Sequence, residues 1–145
     1  MRERVLAALV GGLVGGALFG ALMELTGMIE MVAGLVGSQS PTVGWIVHLA
    51  ISLALGLGFG LIVALRPLGI GASVGLGAAY GLVWWVLGAL LIMPAAMDMP
   101  VLVVDQGALM SLAGHLVYGV ALGAVTAALA PRLGADLAHT VRARS

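Results

Sequence analysis

The sequence predicts an all-α integral membrane protein, a four-helix bundle, and two observations carry that prediction. The first is composition: 62% of the 145 residues are hydrophobic, 8% are charged, and the mean hydropathy is +1.20. Soluble globular domains are about 45–50% apolar and about 25% charged, and disordered chains are less hydrophobic, so both classes are excluded. The second is four apolar runs, each long enough for the roughly 20 residues that cross a bilayer. They are apolar on all sides, which favours helices over the alternating strands of a barrel.

The four predicted spans follow one another with short breaks between them. The first begins at Val5 and ends at about Gly27, or continues past Met31. It is longer than the roughly 7–15 apolar residues of a signal peptide, so we expect a retained helix. The other spans are 44–65, 69–93 and 108–130. Together they predict one transmembrane domain over residues 1–145.

The arginines predict the orientation of the spans. Each falls before the first span, between the second and third, or after the fourth, and the chain has no Lys. Those three segments lie on one side of the membrane, so the positive-inside rule predicts that both termini are cytoplasmic. Residues 133–145 would form a cytoplasmic tail that is either disordered or lies on the membrane surface. The arginines are Arg2, Arg4, Arg66, Arg132, Arg142 and Arg144.

An internal similarity relates the two halves of the chain. It predicts two parallel helical-hairpin repeats, about 5–66 and 69–132, related by a pseudo-twofold axis along the membrane normal. The alternative is chance similarity among helices rich in Gly, Ala and Leu. The matches are His48-Leu49 with His115-Leu116 and 54–56 with 121–123 at an offset of 67, and 16–17 with 77–78 and Gly20 with Gly81 at an offset of 61.

Many of the 23 glycines recur at intervals of four inside the spans. Glycines at this spacing share one helix face and let another helix approach closely. We expect these faces to seal the bundle or to drive oligomers. The predicted packing glycines are Gly12, Gly16, Gly20, Gly56, Gly60, Gly77, Gly81, Gly119 and Gly123.

His48 and His115 form the candidate site. Each lies about one turn below the outer start of its span. Polar side chains are costly to place inside a membrane, so a histidine there is a candidate functional residue. Two facing imidazoles could ligate haem b or another metal, with room left by Gly44, Gly114 and Gly119. The alternative is that each imidazole bonds to a carbonyl or to water and stabilises helix packing.

Three further residues are weaker candidates. Glu24 lies near the depth of the two histidines, where it could orient an imidazole or relay protons; alternatively it reaches the outer water. Met93 and Met97 would share a helix face if the third span continues through Pro94, and two thioethers would suit Cu(I). Methionine is also an ordinary filler of packing gaps.

Several sequence motifs of nucleotide-binding proteins and enzymes are absent from the chain, which argues against those functions. With no Lys there is no phosphate-binding loop, and no zinc-protease pattern occurs. The zero net charge gives no case for nucleic-acid binding. We therefore expect a small non-enzymatic protein of the lipid bilayer that is a homo-oligomer or an accessory subunit of a membrane complex. The alternative is a small transporter or channel for a metal ion or small solute. Its pathway would need polar groups near the midplane, where Ser52 and Thr126 are among the few.

The fourth span resembles a helix of one group of known membrane proteins. Its segment Gly-His-Leu-Val-Tyr-Gly at 114–119, followed by Leu122-Gly123, resembles the last helix of small four-helix bacterial inner-membrane proteins of unknown function. The resemblance covers this span and, through the repeat, part of the second. It implies a prokaryotic cytoplasmic membrane and supplies neither an activity nor a site residue.

Overall fold

The computed structural model describes residues 1–66 and 68–142, with side chains as far as residue 135, and this part of the chain is all-helical. A long helix comes first, a short one follows it, and the remaining long helices are joined by brief connections. The elements are α1 (Arg2–Leu25), α2 (Ile29–Gly34), α3 (Pro41–Ala64), α4 (Ile70–Trp84), a π-helical segment (Trp85–Ile92), α5 (Met93–Ala96) and α6 (Gln106–Arg142).

Four helices are long and apolar enough to cross a membrane. They are Arg2–Leu25, Pro41–Ala64, Ile70–Ala96 and Gln106–Ala135. The shortest has 24 residues, about 36 Å at 1.5 Å per residue, which exceeds the roughly 30 Å hydrocarbon core. Large apolar side chains such as Leu18, Ile46 and Leu61 point outward and are exposed. These four helices are consistent with the multi-pass membrane protein that the hydropathy predicts.

Helix ends differ from the predicted ones at both loops and at the tail. The first span ends at Leu25, because Gly27 takes a positive φ of 69°, and the chain restarts as α2. The fourth span does not end at 130, since α6 runs through Pro131 to Arg142. A proline inside a helix removes one backbone hydrogen bond, a loss that membrane helices tolerate. The predicted tail is helical as far as it is described.

The third span, Ile70–Ala96, changes helix type along its length. It begins as α-helix, becomes π-helical at Trp85–Ile92, and returns to α-helix for Met93–Ala96. Nothing in the sequence predicts the π-helical segment, in which each hydrogen bond spans five residues instead of the four of an α-helix. The loop that follows closes back on it, since the Leu102 N–H donates to the Leu90 carbonyl oxygen at 2.7 Å.

Helix contacts arrange the spans in the order α3, α1, α6, α4. Close backbone contact joins α3 to α1, α1 to α6 and α6 to α4, whereas α3 and α4 touch only sparsely. Side chains bridge that last gap: the Tyr80 hydroxyl donates to the Leu55 carbonyl oxygen at 3.0 Å, and its ring lies 5.5 Å from the ring of Phe59. Phe59 and Leu122 are fully buried at the centre of the bundle.

Candidate site around His48 and His115

The two histidines meet the same phenylalanine. The Phe19 ring centroid lies 5.3 Å from the imidazole of His48 and 4.8 Å from that of His115, and both pairs meet edge-on. Phe19 is buried on α1, between α3 and α6. The structure therefore brings the predicted pair into one cluster, with an aromatic side chain in contact with both members.

His48 is bonded across a helix interface. Its Nε2–H donates to the Gly16 carbonyl oxygen at 2.9 Å, which joins α3 to α1. This bond fixes the neutral imidazole as the tautomer with its proton on Nε2. That nitrogen is consequently not available as a metal ligand.

The bond from His48 belongs to a ladder that links three helices. The Ser52 hydroxyl donates to the His48 carbonyl oxygen at 2.8 Å, and the Tyr118 hydroxyl of α6 donates to the Ser52 carbonyl oxygen at 2.8 Å. Interhelical bonds of this kind hold membrane helices in register. Ser52 is thus engaged in packing, and Thr126 likewise donates to a carbonyl of its own helix, that of Leu122.

His115 makes a different bond from its predicted counterpart. Its Nδ1–H donates to the Ser111 carbonyl oxygen, one turn earlier in the same helix, at 2.8 Å. The imidazole is only partly buried. The two histidines therefore share a location but carry their protons on opposite ring nitrogens.

A haem between the two imidazoles does not fit this arrangement. The Phe19 ring touches both imidazoles, and protein atoms fill each of the three glycine positions expected to leave room. A Cβ at Gly114 would meet the Phe19 ring, one at Gly44 the Ile29 carbonyl, and one at Gly119 the Gly77 carbonyl. Among the residues described, no three His, Cys, Asp or Glu residues gather as a metal site.

Glu24 bonds to an indole instead of an imidazole. The Trp45 Nε1–H donates to its carboxylate at 2.9 Å, and Glu24 itself is exposed. Trp45 in turn packs edge-on against His48, with ring centroids 6.3 Å apart. The carboxylate thus reaches His48 only through the tryptophan, an arrangement suited to anchoring these side chains at the membrane interface.

Met93 and Met97 lie where the third span ends. The helix does continue through Pro94, as the copper hypothesis requires. Met93 packs against the core, and the terminal methyl of Met97 lies against Gly34. Both side chains are thus engaged in packing contacts.

All nine predicted packing glycines lie at close contacts between elements. A Cβ at Gly12 would come within 2.7 Å of the Ser52 carbonyl oxygen, and one at Gly56 within 2.8 Å of the Ala8 carbonyl oxygen. The α4–α6 contact is closer, because Gly77 and Gly119 lie directly against each other's backbone. The remaining members, Gly16, Gly20, Gly60, Gly81 and Gly123, each meet a residue of the paired helix.

Sequence reasoning missed a second glycine face on α1. Gly11 and Gly15 pack against Leu122 and Tyr118 of α6, one residue out of phase with the face that meets α3. Adjacent glycine pairs at 11–12 and 15–16 were the available signal, because neighbouring positions point about 100° apart around a helix. Phe19, which organises the histidine cluster, gave no comparable signal. Comparison with known protein families, with curated proteins and with solved structures finds no match to this chain.

Proposed function

We propose that this chain is a non-enzymatic component of the bacterial cytoplasmic membrane that works as a homo-oligomer assembled through its third span. One observation carries the proposal. Only 17% of the most apolar window of Ile70–Ala96 is buried within the chain, against 44%, 33% and 33% for the other three spans. A span covered so little by its own bundle has the most surface left for another protein.

The uncovered face has the composition of a helix-packing surface. Gly71, Gly75 and Ala79 recur at intervals of four and are exposed, and a Cβ at either glycine would meet nothing within 4 Å. Elsewhere in this chain the same spacing is in contact with a neighbouring helix. We define Gly71, Gly75 and Ala79 as the open stripe.

A second copy of the chain is the occupant that this surface favours. A stripe of small residues is complementary to itself, so a twofold axis along the membrane normal would pair it with the same stripe of another copy. Within the chain, glycine already packs on glycine at Gly77 and Gly119. Larger apolar residues that continue the exposed side, such as Leu82 and Val86, would extend the contact.

Disulfide cross-linking in membranes tests the proposal. The chain has no Cys, so Ala79→Cys introduces a single thiol within the open stripe. Two such thiols form a disulfide only if their Cα atoms approach to about 4–7 Å. We expect oxidation to give a species of about twice the 14.5 kDa of one chain.

The matched control is Leu18→Cys. Leu18 is exposed on α1 and occupies the position related to residue 79 by the offset of 61. A thiol there is expected to remain monomeric. The proposal fails if both variants cross-link equally, or if Ala79→Cys forms no dimer. A cross-link to a different protein would assign the open stripe to a partner of a membrane complex instead.

The same proposal places both termini in the cytoplasm. The support is the one-sided distribution of the arginines, since Arg4, Arg66 and Arg132 all lie near one end of the bundle, which we call the arginine end. Single cysteines at Ser38 and Ser145 test it in intact cells. We expect a membrane-impermeant thiol reagent to label residue 38 alone; labelling of residue 145 from outside would reverse the orientation.

The hairpin repeat also belongs to this proposal, and paired contacts support it. Gly12 packs on Gly56 in the first hairpin, and the residues at the two offsets, Ser73 and Gly123, pack on each other in the second. Likewise Gly16 meets Ser52, as Gly77 meets Gly119. The similarity ends between the hairpins, because α1 contacts α6 closely whereas α3 and α4 touch sparsely.

A further inference from the structure

A cavity of about 310 Å³ lies at the arginine end, between all four spans. Its walls include Arg4 of α1, Val63 of α3, Ser73 of α4, and Thr126 and Ala127 of α6. It is separate from the histidine cluster, since neither His48 nor His115 is among its lining residues. Two of the helices that line it, α3 and α4, touch each other only sparsely.

Arg4 places a positively charged guanidinium at this cavity, and most of its N–H donors have no hydrogen-bond partner within the described residues. Its Nη1 donates to the Ala64 carbonyl oxygen at 3.0 Å, near the end of α3, and this is the one hydrogen bond found for the guanidinium within the described residues. An arginine has five N–H donors, so others remain for an anion. In that same part of the chain the only ion pair joins Glu3 to the Met1 ammonium group, so Arg4 has no carboxylate partner there.

The other polar groups of the cavity offer acceptors. The hydroxyls of Ser73 and Thr126 already donate to the Gly123 and Leu122 carbonyls, which leaves their oxygen lone pairs. Pro131 has no N–H for the Ala127 carbonyl that an uninterrupted helix would satisfy. The cavity therefore suits a ligand that carries an anion for Arg4 and hydroxyl donors for these oxygens.

We infer that this cavity binds the phosphoglycerol headgroup of an anionic membrane lipid. A phosphodiester matches the donors of Arg4, and the glycerol hydroxyls match the acceptors. Glu3 lies on the same wall, but its carboxylate bonds to the Met1 ammonium group, so Arg4 leaves a net positive charge for an anionic headgroup. Val63 and Leu68 form an apolar part of the wall. The acyl chains would extend from this apolar wall towards the bilayer.

Native mass spectrometry of the detergent-solubilised full chain tests the inference. The probes are dioleoyl phosphatidylglycerol and, at equal concentration, dioleoyl phosphatidylcholine. We expect phosphatidylglycerol to bind preferentially and Arg4→Gln to lower its affinity about fivefold, the effect of about one arginine charge near a lipid headgroup. Glu3→Gln, which removes a negative charge from the cavity wall, is expected to raise the affinity.

Two further variants separate binding from folding. Arg2→Gln removes an exposed arginine from the same end without touching the cavity and is expected to leave lipid affinity unchanged. Ala130→Leu fills the cavity from α6 while retaining Arg4 and is expected to lower it. Equal losses for Arg2→Gln and Arg4→Gln, or no preference for phosphatidylglycerol, would overturn the inference.

Competition with soluble glycerol 3-phosphate identifies the source of the phosphate. No displacement of lipid at millimolar glycerol 3-phosphate supports a lipid site that requires the acyl chains. Displacement that is abolished by Arg4→Gln also supports a phosphoglycerol site, but one filled from solution. Displacement that is unaffected by Arg4→Gln and Ala130→Leu contradicts binding in this cavity.

Discussion

His48 of α3 donates a hydrogen bond from Nε2 to the carbonyl oxygen of Gly16 on α1, at 2.9 Å. The contact exists because Gly16 has no side chain: a Cβ there would lie against Ser52, one turn from His48. The glycine therefore brings the two backbones close enough for an imidazole to reach across. Glycine packing and the polar ladder are thus two parts of one interface.

Loss of this bond is expected to weaken the α1–α3 hairpin. His48→Ala should lower the free energy of unfolding by about 1–2 kcal/mol, since interhelical bonds in membranes contribute up to about 1.7 kcal/mol and the deletion adds a cavity. Unfolding in mixed micelles with increasing sodium dodecyl sulfate measures it. His48→Gln, which retains a donor, should recover part of the loss. His115→Ala should cost less, because its bond lies within one helix; the reverse order would contradict the ladder.

Phe19 is expected to exclude haem from the histidine pair. Its ring contacts both imidazoles and fills the space at Gly114. Protein purified from cells supplied with haem precursor should therefore show no Soret band that depends on the histidines. A Soret band lost in both His48→Ala and His115→Ala would show that the cluster rearranges to bind haem. The matching stability measurement is Phe19→Ala, expected to destabilise the chain by about 3 kcal/mol or more.

Replacing glycine by alanine is expected to lower stability where the glycine contacts another helix and to have little effect where it is exposed. Gly77→Ala places a methyl group against the backbone of Gly119, so α4 and α6 must separate and the folded fraction should fall. Gly71→Ala in the open stripe meets nothing within 4 Å and should leave the monomer as stable as the parent. Thermal denaturation of both variants in detergent, at concentrations that keep the chain monomeric, makes the comparison. Equal midpoints would mean that a methyl group at residue 77 fits between α4 and α6.

Hydropathy and glycine spacing predicted much of the fold because both are local signals. The four long apolar helices are confirmed, and the contacts of Gly12, Gly56, Gly77 and Gly119 follow from their spacing and from the short connections between the helices. The order of helices in the bundle is a non-local property. Consequently the sequence could not show that α1 would lie against α6 and place Phe19 between the two histidines.

The helix interruptions were predictable only in part. Gly27 signals the end of α1 because glycine adopts a positive φ without steric cost. Pro131 suggests an end that the structure does not have, since a membrane helix can lose one backbone bond and continue. The π-helical segment at Trp85–Ile92 accepts a hydrogen bond at the Leu90 carbonyl from the N–H of Leu102 in the following loop, a contact that periodicity cannot reveal.

Leu102 is expected both to strain the loop backbone and to hold the loop against the π-helical segment. It has a positive φ of 58°, a conformation that L side chains adopt at an expense of about 1 kcal/mol or more, while its N–H bonds to the Leu90 carbonyl. Leu102→Gly should relieve the backbone strain and leave stability unchanged or raised. Leu102→Pro removes the N–H and forces a negative φ, so it should destabilise the loop and expose the π-helical segment to faster hydrogen exchange. Exchange at 85–92, measured by mass spectrometry, distinguishes the two variants. Identical exchange in both would show that the loop does not stabilise the π-helical segment.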